Sequence, residues 1–269
     1  MNKNKYLLKF PTAVIKNHRD LLKQLLQFTK TQVAKKKMKA NGYEKGLPFV
    51  DIKDLIPSLD AEIKSFTFLD STSRVIDIAI IQSIVKTFQK PDYLEIGSWR
   101  GESILNIAPY CQSCISVSLS KEEMVQLGFS ERAAKLDGLL LENIPNLKRV
   151  LHNSATFDFN SLNQKFDVIF VDGDHSYEGV LNDTRKVFPL LKDENSVIFW
   201  HDAGFSYEDQ RWEVLAGIMD GTPVDKRKHI YRISNSMLAI YTSKKLNSAY
   251  LESPQTPTKF FNVRICYQN

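Results

Sequence analysis

Apolar positions along the 269-residue chain follow two alternating rhythms. From 92 to 242, short apolar runs of strand length (DYLEIG, CISVSL, LKRVLHN, FDVIFV, SVIFW, HIYRIS, SMLAIYT) are separated by stretches with helical spacing. The helical stretches are ESILNIAPY, the long segment 121–144, YEGVLNDTRKVFPLL, and a helix around Trp212 to Met219. Just before them, SRVIDIAIIQSIVKTF carries a 3.6-residue apolar pattern closed by Lys90-Pro91, a helix with a clear stop. Strands that read as continuous apolar runs between helices predict an α/β fold, a mostly parallel, doubly wound sheet with helices on both faces. The last two runs, joined at Asn235, predict an antiparallel pair at one edge.

Upstream, residues 6–38 place Val14, Leu21, Leu22, Leu25, Leu26 and Phe28 at helical spacing among lysines, predicting a basic amphipathic helix or two. Residues 1–46 carry twelve Lys/Arg and two acids, a net +10, so the remainder of the +5 chain carries −5. Three occupants fit such an arm: its own domain or a second copy as a homodimer, an anionic membrane surface as a peripheral contact, or a polyanion. No nucleic acid is expected, since no zinc-finger spacing or RNA-binding signature accompanies the charge. LPFVDIKDLIP reads as a connector with a short extended piece. The division is thus an arm at 1–46, a domain at 47–242, and a tail at 243–269 in which FFNVRICYQ suggests a small strand.

Composition is that of a globular chain, 43% hydrophobic, able to bury a core. No run reaches the roughly 18 apolar residues of a membrane span, and no cleavable leader is evident, so the expected location is cytoplasmic. Cys111, Cys114 and Cys266 are too few for a disulfide framework.

In open α/β sheets, ligands bind beyond the carboxyl ends of the strands. The first central strand ends LEIGSWRGES, in which Gly97 lets the backbone turn and Gly101 leads into a helix whose N-terminal amides suit a carboxylate or phosphate. The spacing lacks the dinucleotide G-x-G-x-x-G, which argues against a nicotinamide-type site. Further on, VDGDHSYEGV gathers Asp172, Asp174 and His175 in one loop, and WHD places His201 and Asp202 at the neighbouring strand end. Such crowded acids call for a cation, a proton or a substrate.

This constellation, with E-x-G-x-x-x-G at 95–101, VDGDHSYEGV and WHD, resembles the class I S-adenosylmethionine-dependent methyltransferases, and among them the metal-dependent small-molecule and sugar O-methyltransferases. The resemblance covers about 47–242 and implies a Rossmann-like, seven-stranded sheet with its last strand antiparallel. It implies that Glu95, Gly97, Ser98 and Gly101 hold the methionine end of S-adenosylmethionine, with Ser118, Ser154 and Asp172 completing the cofactor site. Ser118 stands where the family carries a ribose-binding acid, and Glu122 or Glu123 is the expected substitute. Asp172, His201 and Asp202 would hold Mg2+ or Mn2+, with Asp174, or else His175, as general base. His201 departs from the family's acid. Trp99, Trp200, Tyr177, Phe205, Tyr207 and Trp212 would flank the pocket. The implied activity is O-methylation of a small acceptor: a sugar, glycan or natural-product precursor. The alternative is a non-catalytic relative working through its basic arm. A Gly97→Arg change is expected to abolish cofactor binding with the fold intact.

Overall fold

The computed structural model of the chain describes residues 18–266. In chain order the elements are α1 (His18–Ala40), β1 (Phe49–Val50), α2 (Ile52–Leu55), α3 (Val75–Val85), β2 (Asp92–Ile96), α4 (Glu102–Ile107), β3 (Ser113–Ser118), α5 (Lys121–Gln126), α6 (Glu131–Ala134) and β4 (Leu147–Leu151). There follow β5 (Val168–Val171), α7 (Tyr177–Val187), β6 (Val197–Trp200), α8 (Trp212–Gly221), β7 (Ile230–Ile233), β8 (Ala239–Tyr241) and β9 (Ser248–Ala249).

They build one nine-stranded sheet in the order β4-β3-β2-β5-β6-β8-β7-β1-β9. Strands β2 to β6 are mutually parallel, and β8 runs antiparallel to both β6 and β7. The seven-stranded pattern with an antiparallel last strand is therefore present. Two additions extend it: β1 pairs parallel with β7, and β9 antiparallel with β1. The β7–β8 pair is thus interior to the sheet, because these two-residue strands, too short to show a period in the sequence, cover its flank.

Alternation along the strands supplies two cores. Leu94, Ile96, Ile115, Val117, Ile169, Val171, Ile198 and Trp200 pack toward α1, α7 and α8. Tyr93, Cys114, Val168, Phe170, Val197 and Phe199 pack toward α3 and α4. Each such side chain taken fully out of water contributes roughly 1.5–3 kcal/mol, and burial on both faces explains the unbroken apolar runs. Trp200 belongs to this core and not to a pocket wall: it is 1% exposed, and its indole N–H donates to Thr184 Oγ1 at 2.9 Å.

The expected long helix over 121–144 is instead two short ones, each capped by a serine: Ser120 accepts from Glu123 N and Ser130 from Ala133 N. Gly128 (φ +92°) and Gly138 (φ +68°) take left-handed backbone there, which ends a helix turn.

The start of the basic arm lies outside the described residues. Its remainder, α1, docks on α8 by Ala34 and Met38, and Gln27 Nε2 and Thr31 Oγ1 donate to Glu213 Oε1 at 3.0 and 2.7 Å. Asp220 accepts from Asn41 Nδ2 at 2.8 Å and pairs with Lys37 at 3.5 Å. Leu21, Leu22, Leu25, Leu26 and Phe28 are exposed. In the tail, described residues 250–266 form no strand, so FFNVRIC is not one; the tail instead contributes β9, Lys259 pairs with Asp51 at 2.6 Å, and the rest of FFNVRICYQ lies outside the described residues. Among the described residues no helix is long and apolar enough to cross a membrane.

Candidate active site

The sheet's connections reverse direction between β2 and β5, and a crevice opens beyond the carboxyl ends of those strands. At that switch point the loop after β2 leaves at Gly97, with φ +86°. A Cβ on residue 97 would lie 2.7 Å from Gly173 Cα and run into the Asp172 carbonyl oxygen, so the two strand ends touch only because this residue is glycine. That contact changes the expectation for Gly97→Arg, which would strike the fold as well as any ligand. Trp99, also left-handed at φ +43°, and Gly101, at φ +103°, complete the turn into α4. Bulky residues rarely accept such backbone, and they concentrate at sites where the surroundings enforce it.

Two of the expected cofactor residues point beneath the loop. Glu95 is fully buried and accepts from Ser103 Oγ at 2.6 Å and Tyr93 OH at 2.7 Å. Burial pushes its carboxyl up to about 8 against those two hydrogen bonds, with Asp172 adding to the rise. Ser98 Oγ shares a hydrogen bond of 2.7 Å with Ser116 Oγ. These side chains brace the loop, and the crest is left to backbone: among the described residues, the amides of 98–103 donate to no acceptor in the chain. Trp99 Nε1 is buried without a partner. Free amides and an orphaned indole N–H are the donors a ligand with a carboxylate would meet here.

Ser118 Oγ is directed 3.5 Å from Asp137 Oδ2, which pairs with Arg149 at 2.6 Å. Burial raises the Asp137 carboxyl, and Arg149 offsets part of that rise. The acid beside Ser118 is thus Asp137, carried by the segment that broke the long helix; Gly138 N donates to Trp99 O at 2.6 Å and Leu140 N to Arg100 O at 2.9 Å. Glu122 is exposed, while Glu123 is spent on the Ser120 capping box and on Asn153 N. The Ser154 carbonyl accepts from Lys186 Nζ at 2.6 Å.

On the other wall of the crevice, Asp172 follows β5 and His201 follows β6, both directed toward the first turn of α3. His201 Nε2 lies 3.1 Å from Asp77 Oδ2, and its Nδ1 lies 3.2 Å from Asp172 Oδ1 and 3.4 Å from Asp202 Oδ1. Burial alone would lower the imidazole, but the attraction and hydrogen bonds of Asp172 and Asp77 carry it well above its usual range. Asp172, although largely desolvated, is held below the usual carboxylate range by His201, His175 and a bond from Ser73 Oγ at 2.9 Å. His175 Nε2 is 3.2 Å from Asp202 Oδ2, which also accepts from Arg211 Nη1 at 2.9 Å. Asp174 accepts from Ser176 N at 2.8 Å and Ser176 Oγ at 2.7 Å, and Ser176 in turn caps α7, so this carboxylate fixes the loop.

The expected ligand set Asp172, His201 and Asp202 is therefore arranged differently. One donor atom each from Asp172, His175 and Asp202 lie within 4.8 Å of one another, whereas His201 turns both nitrogens to carboxylates. Both ring nitrogens are engaged by carboxylates, so neither is turned toward a metal as the ring stands. With Arg211 on Asp202 as well, the donor set does not fit a divalent cation as it stands.

Ser73, Asp77, Asp137 and Arg211 went unnoticed in the sequence, because each reaches the site from a distant or irregular segment. A strap at 60–73 leads to Ser73; it is held by Asn106, which accepts from Lys64 N at 2.9 Å, and by Arg100, whose Nη2 donates to Asp70 O at 2.7 Å. The loop 203–211 is anchored by buried Arg232, donating to Asp209 O at 2.5 Å. Phe205 and Tyr207 on that loop are exposed and lie against Arg211 and Arg74, at 5.4 and 4.9 Å. Trp212 and Tyr177 instead face α1, beside Lys35 and Lys37.

Comparison with known proteins bears on this same region. Residues 94–203, from β2 to the loop after β6, match a family model described as a methyltransferase domain. A curated relative, an uncharacterized protein of Acanthamoeba polyphaga mimivirus, is 26% identical over 148 residues, 49% of this chain and 60% of its own length. The chain thus spans less than two thirds of that relative. Among solved structures, the O-methyltransferase TomG of Streptomyces achromogenes, in complex with S-adenosylmethionine, shares 12% identity over 64% of this chain and 82% of its own, at a TM-score of 0.45. An O-methyltransferase of Bacillus cereus, in complex with S-adenosylhomocysteine, shares 14% over 65% and 84%, at 0.42. The resemblance read from the glycine loop and the two acidic strand ends thus agrees with the stretch, residues 94–203, that matches the methyltransferase-domain model.

Proposed function

We propose that the chain is an S-adenosylmethionine-dependent O-methyltransferase whose acceptor is a hydroxyl of a small molecule, of the sugar, glycan or natural-product precursor class. The observation that carries this reading is the His175–Asp202 pair at 3.2 Å, set across the switch-point crevice from the Gly97–Gly101 loop. S-adenosylmethionine, when bound, supplies a methyl group already activated on sulfonium. The chain's task is then to align an acceptor oxygen and remove its proton.

For binding, the residues present fit: the open amides of 98–103 and the unpartnered Trp99 Nε1 suit the carboxylate end, and Asp137 beside Ser118 stands near the family's ribose position. For the proton, His175 is the base of choice. Its side chain is 38% exposed, so an acceptor can reach it, and Asp202 orients the ring through Nε2, leaving Nδ1 to take the proton. Asp174 is spent on Ser176 and does not compete.

Calorimetric titration with S-adenosylmethionine and S-adenosylhomocysteine tests the cofactor, and a screen of hydroxylated sugars and phenols tests the transfer. Micromolar binding, unchanged in His175→Ala, with turnover reduced about 10²–10⁴-fold in that variant, is the expected result. Absence of binding would overturn the reading in favour of a non-catalytic relative, and full turnover in His175→Ala would remove the base assignment.

A further inference from the structure

The acidic strand ends of β5 and β6 are neutralised from within the chain. The notch between the Oδ1 atoms of Asp172 and Asp202 holds His201 Nδ1, at 3.2 and 3.4 Å, so those two oxygens face the imidazole. The far side of the same ring is held by Asp77, itself fully buried and tied to Met237 N at 3.0 Å, so the imidazole is engaged on both sides. The remaining oxygens are also taken. Asp172 Oδ2 accepts from Ser73 Oγ, and Asp202 Oδ2 from Arg211 Nη1 and His175 Nε2.

Arg211 is the decisive member, because a guanidinium keeps its charge at any working pH. It stands just before α8, its own amide donates to Ala203 O at 3.1 Å, and its guanidinium lies 5.4 Å from the Phe205 ring, so it is held on two sides. A cation at the alternative set of Asp172, His175 and Asp202 would share the Asp202 carboxylate with this fixed positive charge.

We propose that this chain works without a divalent ion, with Arg211 as the resident cation that positions Asp202 and through it His175, with the His201 ring filling the space between Asp172 and Asp202, and with Arg211 as the group that excludes the metal. The proposal rests on the methyltransferase reading for the chemistry it serves, but its measurement does not. Manganese alone is the probe: Mn2+ is titrated into the metal-stripped full chain and followed by electron paramagnetic resonance and calorimetry, for the wild type, Arg211→Ser and Arg211→Lys. The wild type and Arg211→Lys are expected to show no site tighter than about 1 mM, whereas Arg211→Ser binds one ion at least about tenfold more tightly. Thermal melts confirm that each variant is folded, and Asp172→Asn in the Arg211→Ser background should abolish the new site. A stoichiometric micromolar Mn2+ site in the wild type would overturn the proposal. Equally, Arg211→Ser binding no better than the wild type would show that Arg211 is not the excluding group. Loss of S-adenosylmethionine binding in the separate titration would overturn the methyltransferase reading while leaving the manganese result standing.

Discussion

Glu95 offers a quantitative check on the polar layer beneath the glycine loop. The carboxyl is fully buried, its neighbours are two hydroxyls, and burial raises it from 4.5 to about 8. Between those two values the native chain holds a proton that the unfolded chain has released, so stability falls as pH rises through this window. Each tenfold change in proton affinity is worth about 1.4 kcal/mol, which sets a ceiling of about 5 kcal/mol on the stability lost between pH 4.5 and pH 8. Glu95→Gln keeps the shape and presents an amide to hydroxyls that can rotate to accept, while removing the titration. Urea denaturation of both proteins from pH 5 to pH 9 isolates the effect, because all other titrating groups cancel in the difference. The two should be nearly equal in stability at pH 5, and the variant should be the more stable by several kcal/mol at pH 9, below the ceiling of about 5. Parallel profiles, with no growth of the difference across the window, would refute the reasoning and mean that Glu95 is ionised throughout.

Two further outcomes follow from the packing. Gly97→Ala should cost roughly 2–4 kcal/mol, since a Cβ there meets the Asp172 carbonyl in a left-handed backbone; a denaturant midpoint equal to wild type would contradict the contact. Asp220→Ala removes the acceptor shared by Asn41, Lys37 and Tyr177, and should cost about 1–3 kcal/mol and raise amide exchange in the C-terminal half of α1; unchanged exchange would show that the arm does not depend on this anchor.

The central strands were legible because their surroundings are simple. Adjacent residues such as Ile169 and Phe170 are buried on opposite sheet faces, and such runs can be read without knowing their neighbours. Gly97 was legible for a similar reason, as the position where a strand meets a turn. The segment 121–144 was misread because its periodicity is genuine, yet Gly138 and Leu140 gain hydrogen bonds to Trp99 and Arg100 that a continuous helix would forgo. Local spacing cannot register such a long-range bond. The acidic crevice was half legible. Asp172, His175, His201 and Asp202 sit in recognisable strand-end motifs, but what governs them comes from elsewhere. Asp77 reads as an ordinary first-turn acid of an apolar helix, and Arg211 as a charge in a polar loop; only the fold sets one on each side of the histidine–aspartate cluster.

The placement of β8 bears on the order in which the molecule can assemble. Strand β6 ends at Trp200, but its outer edge stays without a partner until β8, at Ala239–Tyr241, has been made. Strand β1 waits longer, from Val50 to its parallel partner β7 at Ile230–Ile233. Half of the sheet thus depends on contacts between distant parts of the chain, which slows folding and exposes an unpaired apolar edge on the nascent polypeptide. The turn between β7 and β8 also supplies Met237, whose amide donates to Asp77 and whose carbonyl accepts from Ala203. The hairpin that covers the outer edge of β6 is therefore the same piece that locks the crevice, and the geometry of the site depends on that long-range pairing.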